Sequence, residues 1–70
     1  MRYAVVYEKA PRNYAAYVPD LPGCIATGAT RKEVERRIRD AIAMHVEELR
    51  REKRRVPKPS AWADVVEVPA

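Results

Sequence analysis

The sequence predicts a small α+β domain of order β-β-β-α-β, and three observations carry that prediction. Two runs of strand-like composition, RYAVVYE and YAAYV, are separated by a short loop, and the first follows a period of two. From Arg31 to about residue 53 there is no Gly or Pro, and the apolar residues recur at spacings of three, four and seven. A last β-branched run, DVVEV, follows two prolines.

The first strand is placed at about residues 2–8, with Tyr3, Val5 and Tyr7 on one side and Ala4 and Val6 on the other. Both of its faces are therefore apolar. Pro11 and Asn13 mark a hairpin connection, and the second strand, at about 14–18, is expected to be its antiparallel neighbour. Pro19-Asp20-Leu21-Pro22-Gly23-Cys24 reads as a rigid turn, because each proline removes a backbone donor and Gly23 permits a positive φ. The third strand, about 24–27, ends at Gly28. Thr30 and Glu33 form a capping box in which the Thr30 hydroxyl accepts from the Glu33 amide and the Glu33 carboxylate reaches the Thr30 amide. The helix is placed at about 31–53, with Val34, Ile38, Ala41, Ile42, His45, Val46 and Leu49 as its apolar stripe. At about 33 Å it outruns a five-residue strand of about 17 Å, so its last turns overhang the sheet. Pro57 and Pro59 stop it, and the fourth strand is placed at about 64–68. Trp62, just before that strand, is expected to plug the edge of the core.

Seventy residues and 8.0 kDa make one domain, 1–70, with a marginal core. One cysteine forms no internal disulfide, and no Cys or His cluster offers a structural metal. With those staples absent, self-association is the expected remedy: one helix covers one face of the sheet, which leaves either Tyr3, Val5 and Tyr7 or Ala4 and Val6 bare. A homodimer or tetramer is expected. The apolar runs are too short to span a bilayer or to form a secretory h-region, and with the lone thiol this points to the cytoplasm. One Asn and no Gln in a charge-rich chain point weakly to a thermophilic source.

The reactive side chains do not assemble into a catalytic set. Two-metal phosphodiester chemistry needs several converging carboxylates, whereas six of the ten acids lie on the helix among bases. Glu8 ends a strand, Asp20 is a turn aspartate, and Asp64 and Glu67 lie in the last strand. His45 falls on the apolar stripe, as a packed or interfacial imidazole, and Cys24 is expected to be a small buried hydrophobe. No enzyme, metal or cofactor is expected. Residues 31–55 carry ten bases against six acids, the source of the net charge of +4. Bases near a helix C-terminus complement its dipole, and Glu33–Arg37, Glu35–Arg39, Glu47–Arg51 and Arg36–Asp40 suit i,i+4 pairing. The alternative reading is a small standalone nucleic-acid-binding protein that tracks phosphates with Arg50, Arg51, Lys53, Arg54 and Arg55.

The runs YAVVYEK and YAAYVPDLPGC, the capped helix TRKEVERRIRDAI and the closing PKPS…VVEV segment together resemble the HicB-like antitoxin family over nearly the whole chain. The most specific element is the strand running into PDLPGC. The resemblance implies a partial ribonuclease H-like fold: three antiparallel strands, one helix packed on one face, and a fourth strand beside the first. It also implies a non-catalytic binding protein that neutralises a HicA-type mRNA interferase by occluding its active site, the catalytic histidine being the toxin's. Asp20, Leu21, Pro22 and Gly23 are the expected partner contact, on account of the turn's rigidity. Family members often add a C-terminal DNA-binding domain; here the last predicted strand is followed only by Pro69 and Ala70, and operator binding is not expected.

Overall fold

Three strands and one helix form in a computed structural model that describes all 70 residues. They are β1 (Val6–Lys9), β2 (Tyr14–Tyr17), β3 (Ile25–Gly28) and α1 (Arg31–Arg51), and the strands make an antiparallel sheet of order β1-β2-β3. Val6 pairs with Tyr17 and Lys9 with Tyr14, while Tyr14 pairs with Gly28 and Tyr17 with Ile25. Paired residues share a face. Tyr7, Ala16 and Ala26 thus face α1, and Val6, Tyr17 and Ile25 face away from it. Of the two faces that the sequence leaves open, the bare one carries Val6; Tyr3 and Val5 pack against the core.

β1 begins four residues later than its composition suggests. Continuing the register would set Ala4 against Pro19 and Tyr3 against Asp20, where β2 has already turned away. That turn is tight: the Leu21 amide donates to the Val18 carbonyl at 3.1 Å, and the Cys24 amide to the Leu21 carbonyl at 3.0 Å. Gly23 supplies the expected positive φ, +84°. Leu21 points inward and is fully buried at the centre of a core made with Ala16, Val18, Cys24, Val34 and Ile38.

The helix starts as its cap dictates, with the Glu33 amide donating to Thr30 Oγ1 at 3.1 Å. The Glu33 carboxylate reaches back one residue further than expected, accepting from the Ala29 amide at 3.1 Å. It also pairs with Arg37 at 3.2 Å, and Glu47 pairs with Arg51 at 3.5 Å. The pairs Glu35–Arg39 and Arg36–Asp40 do not form. At the other end Arg54 donates to the Leu49 carbonyl and Lys53 to that of Arg50, a Schellman motif that places Lys53 at φ 58°. This ends α1 two residues before the expected boundary. The helix lies over β2 and β3 and leaves β1 uncovered, which is why Tyr7 stays 43% exposed on the helix side.

No fourth strand forms at 64–68, and Trp62 does not plug the core. Residues 62–70 are exposed, outside any element, with Trp62 at 85% and Val65 at 92% exposure. Two contacts tie the chain just ahead of them to the end of the sheet. Tyr3 donates its hydroxyl to the Pro57 carbonyl. The Asp20 carboxylate accepts from the Ser60 amide at 2.9 Å, the Ser60 hydroxyl at 2.8 Å and the Ala61 amide at 3.0 Å.

Three outcomes follow. A Cβ on Gly28 would lie 2.8 Å from the Val34 backbone nitrogen, so Gly28→Ala is expected to cost about 1–3 kcal/mol in denaturant unfolding. Lys53→Gly relieves the left-handed conformation and is expected to raise stability by up to about 1 kcal/mol in the same assay. The amides of Ala61 and Ser60, and then the Ser60 hydroxyl, hold the Asp20 carboxyl below its ordinary value of 3.8. A depressed carboxyl stabilises fully above the unfolded value and loses that contribution as pH falls through the folded one. The Ser60 and Ala61 amide resonances are therefore expected to move only below pH 3.8, and Asp20→Asn to shift them at neutral pH.

Candidate interaction surfaces

The turn chosen from the sequence as the partner contact splits into two kinds of residue. Leu21 is a core residue with no exposed surface, and the Asp20 carboxylate is engaged by Ser60 and Ala61. Neither has a free side chain to offer a partner as the structure stands. Pro22 and Gly23 reach the surface. The rigidity visible in the sequence is real, but much of it serves the interior.

Beside that turn lies the uncovered face of the sheet. The register places Val6, Ala15, Tyr17 and Ile25 there, with Glu8 and Thr27. Tyr17 is 39% and Ile25 67% exposed. β1 supplies Val6, β2 Ala15 and Tyr17, and β3 Ile25, so the antiparallel register itself gathers the patch. Period-two alternation showed that such a face exists; only the pairing shows which residues meet on it.

Grooves run along both sides of the helix. On the β3 side Gly23, Cys24, Ile25, Ala41, Met44 and His45 line a groove of about 320 Å³ that Glu48 closes. His45 is half-buried there, the packed position that the helical stripe predicted. Cys24 is buried, and desolvation raises its thiol above the ordinary value, so it stays protonated and poorly nucleophilic. On the β1 side Met1, Tyr3, Ile42, Ala43 and Val46 line a groove of about 500 Å³, with Glu47 and Arg50 at its rim. It lies where the segment ahead of β1 meets the second half of the helix.

Glu8, Asp20 and Asp64 do not converge, and no group of three or more His, Cys, Asp or Glu side chains comes together. The basic residues at the helix end are all exposed, yet they are not one free patch. Arg51 pairs with Glu47 and, at 3.7 Å, with Glu48; Arg54 pairs with Glu52 at 3.4 Å. Arg50, Lys53 and Arg55 make no ion pair. No helix is long and apolar enough to cross a membrane.

Known proteins share this arrangement of sequence. Residues 3–70 match the family described as HicB_like antitoxin of bacterial toxin-antitoxin system. The chain is 36% identical over 62 residues to UPF0150 protein Ta0767 of Thermoplasma acidophilum, a match spanning 87% of this chain and 90% of that protein. It is 34% identical over 71 residues to Antitoxin HicB 2 of Photorhabdus laumondii, across the whole of this chain and 51% of that one. It is also 34% identical over 58 residues to an uncharacterized 14.9 kDa protein of Haemophilus phage HP1, across 83% of this chain and 44% of the phage protein. The chain thus spans about half the length of the last two relatives and nearly all of the first. With a match that runs from the first strand through the C-terminal segment, the chain belongs to the HicB-like antitoxin family.

Proposed function

We propose that the protein is a non-catalytic antitoxin that neutralises a HicA-type mRNA interferase by covering its active site. The observation that carries this reading is the pairing of family membership with an exposed apolar sheet face and no convergent reactive set. The contact is the face of Val6, Tyr17 and Ile25, continued over Pro22 and Gly23 at the rim of the rigid turn. A flat apolar patch with a tyrosine suits a protein partner, since aromatic anchors dominate such interfaces. The reading includes a partial ribonuclease H-like fold, completed by a fourth strand beside β1, a cytoplasmic location, and self-association, which a core of eight buried residues favours.

The nucleic-acid alternative has less support, because Arg51 and Arg54 already hold acids and only Arg50, Lys53 and Arg55 are free. Co-expression with a HicA-type toxin separates the two readings. Growth rescue and a co-purifying complex are expected, and Tyr17→Lys with Ile25→Asp is expected to abolish both while the helical circular dichroism is kept. Those changes remove two apolar contacts and should weaken binding by at least about tenfold. Absence of rescue, together with salt-sensitive RNA binding lost on replacing Arg50, Lys53 and Arg55, would overturn the proposal.

A further inference from the structure

Residues 62–70 are out of keeping with the rest of the chain. A globular 70-residue domain has a radius of gyration of about 11 Å. This one measures 13.8 Å, with extents of 49 × 26 × 15 Å. Nine extended residues reach about 30 Å, more than half of that long axis. They carry Trp62, Val65, Val66 and Val68, all at least three-quarters exposed. In an extended chain Trp62, Val66 and Val68 fall on one face, together with Asp64.

Their root is held firmly while their tip is held by nothing. The Asp20 carboxylate grips Ser60 and Ala61, and Pro57 is bonded to Tyr3, so the segment leaves from a fixed point at the end of the sheet. We propose that residues 62–70 form an exchange arm that lies along the free edge of β1 in a second copy of this chain, its own sheet receiving the second copy's arm in return.

Three features select that occupant and that edge. The first is charge. All 14 Lys and Arg lie within residues 1–60, whereas the arm has two acids, Asp64 and Glu67, and no base. An acidic arm on a basic body is self-complementary between copies. The second is the groove where the segment ahead of β1 meets the second half of α1, about 500 Å³, lined by Met1, Tyr3, Ile42 and Val46 with Glu47 and Arg50. For a strand added to the β1 edge, the groove takes apolar side chains of the row Trp62, Asp64, Val66 and Val68, and Arg50, which makes no ion pair of its own, offers Asp64 a partner. The third is backbone availability. β1 is an edge strand with one neighbour, and its outer side has no backbone partner. At the opposite edge the Arg37 guanidinium already holds the Thr27 carbonyl at 3.0 Å. Reciprocal exchange is isologous and closes as a two-fold dimer. It supplies the fourth strand from outside the chain and leaves the face of Tyr17 and Ile25 free.

The test uses the full chain and its single tryptophan. Sedimentation equilibrium is expected to give twice 8.0 kDa at micromolar concentration, with Trp62 emission moving to the blue as concentration rises. Val66→Lys with Val68→Lys alters only side chains that are exposed in the single chain, so circular dichroism and thermal unfolding at low concentration should not change. The double variant is expected to raise the dimer dissociation constant more than tenfold and to abolish the emission shift. Four results would overturn the proposal: an 8.0 kDa species at 100 µM with exposed Trp62 emission, a blue-shifted Trp62 independent of concentration, a dimer unaffected by the two lysines, or one broken instead by Tyr17→Lys. None of these depends on a toxin, so failure here and failure of the antitoxin reading are distinguishable.

Discussion

Asp20 and Leu21 are neighbours in sequence and do opposite things. Leu21 drops into the middle of the core and is wholly buried, while the Asp20 carboxylate turns outward and gathers three donors from residues forty positions away. The turn that holds them is stiffened by Pro19, Pro22 and the left-handed Gly23, so the two side chains keep a fixed separation. Everything else is arranged around that fixed point. Leu21 joins the sheet to the helix through Val34 and Ile38, and Asp20 decides where the chain goes once the helix has ended. Without the first there is too little core for the helix to rest on. Without the second the C-terminal segment has no defined exit.

The core is correspondingly economical. Seven of its eight buried residues are apolar side chains and the eighth is Gly28, whose missing Cβ lets the end of β3 approach the Val34 backbone. Removing the side chain at that junction brings α1 down over β2 and β3. So placed, the helix packs on β3 and β2 and not on β1.

Much of this was legible because it is local. Period-two alternation found the first strand, turn signals bounded the second and third, the Thr30–Glu33 spacing found the helix start, and the stripe from Val34 to Leu49 named its inner side. Features that depend on distant partners were not legible. The late start of β1 follows from where β2 turns, which the composition of residues 2–5 does not record. The bonds from Ser60 and Ala61 to Asp20 span forty residues without any motif to announce them. DVVEV and Trp62 have strand-like and core-like composition, yet composition says only that they want cover, not that this chain supplies it. Rigidity in PDLPGC suggested a partner surface, whereas half of that turn is occupied with the fold itself. Lys53 in a left-handed conformation had no signal at all, since glycine usually stands there.

The seclusion of Cys24 has a practical consequence. Its sulfur sits inside the sheet–helix junction, and desolvation disfavours the thiolate, so thiol-directed reagents and air oxidation find little to attack while the domain stays folded. A cysteine engineered onto the surface can then be alkylated or spin-labelled selectively without first deleting the native one, and reactivity at Cys24 becomes a chemical gauge of how often the molecule opens.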